Sequence, residues 1–169
     1  TTGVDESAIY LTQSSGNIGI SNSTISGGAK HNLNVNNTSG TIASLIIASS
    51  TLRDTAATGV HGALIEMAGT SVLTTASVTG NTFQNNTSIG MQVISGHSAN
   101  IASFTASNNT FEGTGANSQE IAMDFAKSHT ANMTVKVLNN IIRNHNSHGM
   151  NFFTGAGAGT TGTYNATID

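Results

Sequence analysis

Thr79-Gly80-Asn81-Thr82-Phe83-Gln84-Asn85-Asn86 and Ser107-Asn108-Asn109-Thr110-Phe111 write one pattern twice: two short polar residues, a threonine, then a large apolar side chain. The pattern extends both ways along the chain. With Ile25, Leu52, Phe83, Phe111, Ile142 and Ile168 as anchors, the spacings are 27, 31, 28, 31 and 26 residues. The residue before the anchor is Thr24, Thr51, Thr82, Thr110, Ile141 and Thr167. Ahead of it lie Asn22-Ser23, Ser49-Ser50, Gly80-Asn81, Asn108-Asn109, Asn139-Asn140 and Asn165-Ala166. Five and seven residues before the anchor stand apolar pairs: Ile18/Ile20, Leu45/Ile47, Ala76/Val78, Phe104/Ala106 and Val135/Val137, with Thr161/Thr163 a weaker sixth.

A second strand signal precedes each copy. Ile9-Tyr10-Leu11, Leu33-Asn34-Val35, Ile65-Glu66-Met67, Met91-Gln92-Val93, Met123-Asp124-Phe125 and Met150-Asn151-Phe152 all read apolar, outward, apolar. That is the period-2 signature of a strand buried on one face. A self-similar unit of about 28 residues with short strands and no helical periodicity leaves few architectures. Leucine-rich repeats need a leucine frame that is missing, and propeller blades need longer units. The expectation is an all-β fold, a single-stranded right-handed parallel β-helix of about six coils, with like residues stacked in columns about 4.8 Å apart. Asn and Ser at the corners then bond backbone groups that the bend leaves unpaired. The absence of proline agrees, since nearly every strand must donate along the ladder.

These coils resemble the S-x-N-T-F-x-N-N units of right-handed parallel β-helix repeat proteins. The resemblance covers nearly the whole chain. It implies a setting common among bacterial secreted proteins, autotransporter passengers and large adhesins, on a fold shared with pectate-lyase-like enzymes. It is specific for architecture and poor for activity, because one fold hosts many functions.

Composition narrows the classes further. The 169 residues include no cysteine, proline or tryptophan, and 8% are charged against the ~25% of ordinary soluble domains. The 37% apolar content is gathered in short runs, which argues against a disordered linker. A net charge of −3 without a basic patch argues against a nucleic-acid partner. No apolar run approaches the ~18 residues that span a bilayer. Residues 1–169 read as one β-helix domain, and the mid-repeat stop at Ile168-Asp169 is expected to mark a segment of a longer solenoid prone to end-to-end association.

Several constellations could carry chemistry. The outward column Tyr10, Asn34, Glu66, Gln92, Asp124, Asn151 places Glu66 and Asp124 two coils apart, about 9.6 Å, near the ~6.5–9.5 Å of inverting glycosidases. Gln92 between them could bind a sugar hydroxyl. The plainer account makes both acids solvated strand residues. After the anchors come Ser26, Arg53, Gln84, Glu112, Arg143 and Asp169. Lyases of this fold use arginine, so Arg53 or Arg143 is a candidate base, but a ladder Glu112–Arg143–Asp169 is simpler. His97 and His129 occupy equivalent corners, and His145 and His148 share a loop; two imidazoles alone make an incomplete metal site. No acidic cluster resembles a calcium loop. The threonine rank raises an ice-binding reading, against the plain fact that β-branched residues suit strands.

The leading expectation is a non-catalytic structural or adhesive segment of a secreted or cell-surface protein, with glycans or a host surface as partners and no cofactor. The rival is a carbohydrate-active enzyme (polysaccharide lyase or glycoside hydrolase) or a glycan-binding module using Glu66, Gln92 and Asp124. An ice-binding solenoid stands third.

Overall fold

A computed structural model describes residues 6–56, 60–114, 120–155 and 160–169. The chain is a parallel β-solenoid. Its first coil holds β1 (Ile9–Thr12), β2 (Gly16–Ser21) and β3 (Thr24–Ser26). The second holds β4 (His31–Asn37), β5 (Thr41–Ala48) and β6 (Thr51–Arg53); the third, β7 (His61–Met67), β8 (Val72–Thr79) and β9 (Thr82–Gln84). The fourth holds β10 (Ile89–Ser95), β11 (Asn100–Ser107) and β12 (Thr110–Glu112); the fifth, β13 (Ile121–Lys127), β14 (Asn132–Leu138) and β15 (Ile141–Arg143). Two further strands, β16 (His148–Thr154) and β17 (Tyr164–Ile168), belong to a sixth turn. Among the described residues every pairing is parallel, and the strands stack into three sheets of six, six and five. Five complete coils and part of a sixth therefore stand where about six were expected.

The anchor column holds through five coils. Ile25, Leu52, Phe83, Phe111 and Ile142 are in register along the third sheet. Phe83 and Phe111 are buried and stack at 4.6 Å with planes 4° apart, a contact worth ~0.5–1.5 kcal/mol beyond its buried area. Phe125 and Phe152 stack likewise at 5.3 Å. Facing them, Leu45, Ile47, Val78, Phe104 and Val135 close the same apolar core.

The corner between the second and third sheets is two residues in every coil: 22–23, 49–50, 80–81, 108–109 and 139–140. Its first residue adopts a left-handed backbone each time, at Asn22, Ser49, Gly80, Asn108 and Asn139. The second forms a buried ladder. Asn81 N–H donates to Asn109 Oδ1 and Asn109 N–H to Asn140 Oδ1, both at 2.9 Å. Asn81 Nδ2 donates to the Ile47 carbonyl and Asn109 Nδ2 to that of Val78, both at 2.8 Å. Backbone groups that the turn strips from the sheet are thus satisfied one coil away.

Two expected registers are wrong. In the third coil, Ala63, Leu64 and Ile65 face Met91, Gln92 and Val93, so Glu66 pairs with Asn36 and Ile94 instead of Asn34 and Gln92. In the sixth, Ile168 pairs with Val137 in the second sheet, so it is no anchor, and Asp169 does not follow Arg143. His-Gly-Ala-Leu-Ile-Glu-Met offers two apolar frames two residues apart; period 2 alone does not choose between them.

Candidate functional site

The outer face of the first sheet gathers the polar residues of interest. Its corrected column runs Tyr10, Asn34, Leu64, Gln92, Asp124, Asn151. Asp124 is buried, contrary to the solvated position expected of it. Its Oδ2 accepts from Gln92 Nε2 at 2.6 Å and its Oδ1 from Asn151 Nδ2 at 2.8 Å. Three coils are tied through one carboxylate, whose charge strengthens both bonds.

His61 extends this row. Its side chain bonds that of Gln92, and since its Nδ1 is buried without a partner, Nε2 makes the contact. The bond favours the protonated ring, so His61 donates it and the Gln92 oxygen accepts. On the far side, the His61 backbone N–H donates to His31 Nδ1 at 3.2 Å, and the rings stack at 4.9 Å. The row His31–His61–Gln92–Asp124–Asn151 thus crosses five strands, β4, β7, β10, β13 and β16. Burial pushes the His31 ring down to about 4, helped by His61 and Lys30. Burial also lowers His61, opposed by the Asp124 charge and the Gln92 bond. Asn34 Oδ1, buried on the same sheet, has no partner either.

Of the three expected site residues, the fold brings Gln92 and Asp124 together and leaves Glu66 out. Glu66 accepts from Asn36 Nδ2 at 2.9 Å. Its backbone position lies two coils and two residues from Asp124, roughly 12 Å, beyond the reach of an inverting acid–base pair. His31 and His61 were missed. Both lie two residues ahead of their coil's inward pair, but the wrong frame in the third coil hid the match. Lys127, buried with Nζ 3.4 Å from the His129 carbonyl, was missed as well.

The other constellations resolve into local ties. Glu112 bonds Arg143 and Asn144, which hold its carboxyl below the usual range through the Arg143 hydrogen bond first. Arg53 pairs with Asp54 at 2.6 Å, and Asn85 donates to the same acid at 3.1 Å. His97 and His129 stack at 4.8 Å with planes 13° apart. Parallel rings point their nitrogen lone pairs alongside each other, a poor arrangement for converging on one ion. His145 is half-buried, and burial lowers its pKa; His148 is exposed. Burial raises Tyr164, whose Oη donates to the Phe125 carbonyl at 3.1 Å. Thr24, Thr51, Thr82 and Thr110 form one rank in register, which Ile141 ends. Among the described residues no group of three or more His, Asp or Glu is placed to hold a metal, and no helix is long and apolar enough to cross a membrane. No family model, curated protein or solved structure matches the chain.

Proposed function

We propose that this chain is a non-catalytic structural and adhesive β-helix segment of a secreted or cell-surface protein, of the bacterial autotransporter or adhesin kind. One observation carries the reading: the outer polar side chains bond between coils. Asp124 holds Gln92 and Asn151, Glu66 holds Asn36, and Glu112 holds Arg143. Such ties resist shear between coils, which is what a stalk requires.

A glycan-binding or carbohydrate-cleaving face is the second reading, favoured by the unpaired Asn34 Oδ1 and His61 Nδ1 beside the same row. Asp124→Asn separates the two, because it replaces an acceptor oxygen with an N–H2 group facing other donors. A structural Asp124 predicts a lower melting temperature and unchanged signals on a glycan array and in polysaccharide cleavage assays. Loss of binding or cleavage with an unchanged melting temperature would overturn the structural reading.

A further inference from the structure

Five histidines other than His31 sit in this chain, yet His31 alone has a backbone N–H aimed at its ring nitrogen among the bonds described. To accept from His61 N–H, Nδ1 must carry a lone pair, so the ring is neutral with its proton on Nε2. Protonation turns that acceptor into a donor facing a donor. It also sets a positive ring against a second imidazole stacked at 4.9 Å, in a place where His31 is only 6% exposed.

The charged surroundings add to the penalty. Lys30 stands at the entrance to the same strand and opposes a charge on His31. On the first-coil side, the contacts are Ala8 N–H on the His31 carbonyl and Lys30 N–H on the Glu6 carbonyl, and Glu6 is the acid of that coil among the described residues. On the third-coil side stands His61, and past it Gln92 and Asp124, whose charge supports a proton on His61 rather than on His31. The fourth and fifth coils place Ile89 and Ile121 in the continuing column, so they carry no comparable group.

We propose that the stacked His31–His61 pair is an acid-sensitive latch between the second and third coils, closed while both rings are neutral and parted by protonation of His31. Opening is confined to the starts of β4 and β7, because Ile89 and Ile121 separate the pair from His148, the exposed last member of the column. A solenoid built this way keeps its central coils in mild acid and loosens at one seam.

The sign follows from linkage. The unfolded ring binds its proton near 6.5 and the folded ring only near 4. Between those values the unfolded state holds more protons, so stability falls as pH drops from 6.5 toward 4 and changes no further from this group below that. The melting temperature of the wild-type chain is expected to fall by about 5 °C across that window through this pair. Amide exchange should rise first at 31–37 and 61–67, with 121–127 protected. His31→Asn keeps an acceptor near the place of Nδ1 and does not titrate, so its melting curve should be nearly flat across the same window. His97→Asn, in the exposed stack, should retain the wild-type slope. An unchanged slope in His31→Asn, or exchange rising equally in all coils, would overturn the latch. Should that variant fail to fold, NMR titration of the wild-type His31 ring decides: a midpoint near 4 supports the latch, one near 6.5 sinks it.

Discussion

Two corners of the coil begin alike in four coils of five and then diverge. Where the second sheet meets the third, a left-handed residue is followed by one ladder residue and the next strand starts at once. Where the third sheet meets the first, Gly27, Asp54, Asn85 and Asn144 also adopt the left-handed backbone, but the connection then runs to four, seven, four, eight and four residues. The first corner is held by side chains that reach the neighbouring coil's backbone, so length and composition are both fixed. The second is closed by contacts that differ between coils, such as Thr87 N–H on Thr55 Oγ1 in one place and Thr114 N–H on Glu120 in another. Regularity lies at the structural corner. The polar row and the histidine latch lie beside the variable one.

The sharpest way to break this contrast is a one-residue insertion at each corner. A glycine placed between Asn108 and Asn109 displaces Asn109 from Asn81, Val78 and Asn140 together. It should lower unfolding free energy by about 4 kcal/mol in denaturant titration, near the loss of several buried hydrogen bonds. The same insertion within 113–120 lengthens a connection that already varies, and should cost under about 1 kcal/mol. Equal costs would show that the two corners are held in the same way.

Substitution in the ladder comes next in size. Asn109→Ala strips the acceptor from Asn81 N–H and Nδ2 and the donor from the Val78 carbonyl, and should cost about 3 kcal/mol. Asn109→Ser should recover part of it, since Ser50 fills the same column and its Oγ accepts from Ser23 N–H at 3.1 Å. If serine were no better than alanine in thermal or denaturant unfolding, the ladder would owe its strength to packing instead.

The same contrast explains what could be read from the sequence. The anchors, the two-residue corner and the Phe83–Phe111 stack were legible because each coil repeats them at fixed offsets. The frame of β7 was not, because Ala63 is a small inward residue beside the stronger Ile65 and Met67, and both frames have the same parity. The last coil failed for a related reason. Its connection from β16 to β17 runs over 155–163 where other coils use three or four residues, so counting back from Ile168 selected the wrong sheet. At the site, Gln92 and Asp124 were found from their column, but the burial of Asp124 and the approach of His61 depend on packing across coils. Alternation along a single strand carries no such information.

The smallest expected effect probes the left-handed residue with which both corners begin in the second coil. Ser49 sits at φ 50° in the structural corner, where the next coil places Gly80 at φ 67°. A β-carbon costs ~1–2 kcal/mol in that region, against ~0.5–1 kcal/mol of chain entropy that glycine gives up on folding. Ser49→Gly should therefore stabilise the chain by about 0.5 kcal/mol. Asp54, at φ 52° in the variable corner, escapes the same strain on replacement but gives up its contacts with Arg53 and Asn85. Its ion pair is half-exposed and worth only ~0–1 kcal/mol, enough to cancel the gain. Asp54→Gly should leave the melting temperature where it is while Ser49→Gly raises it by one or two degrees, roughly. If both variants gained equally, the side chains at the variable corner would contribute nothing to holding it, and its geometry would be set by the backbone alone.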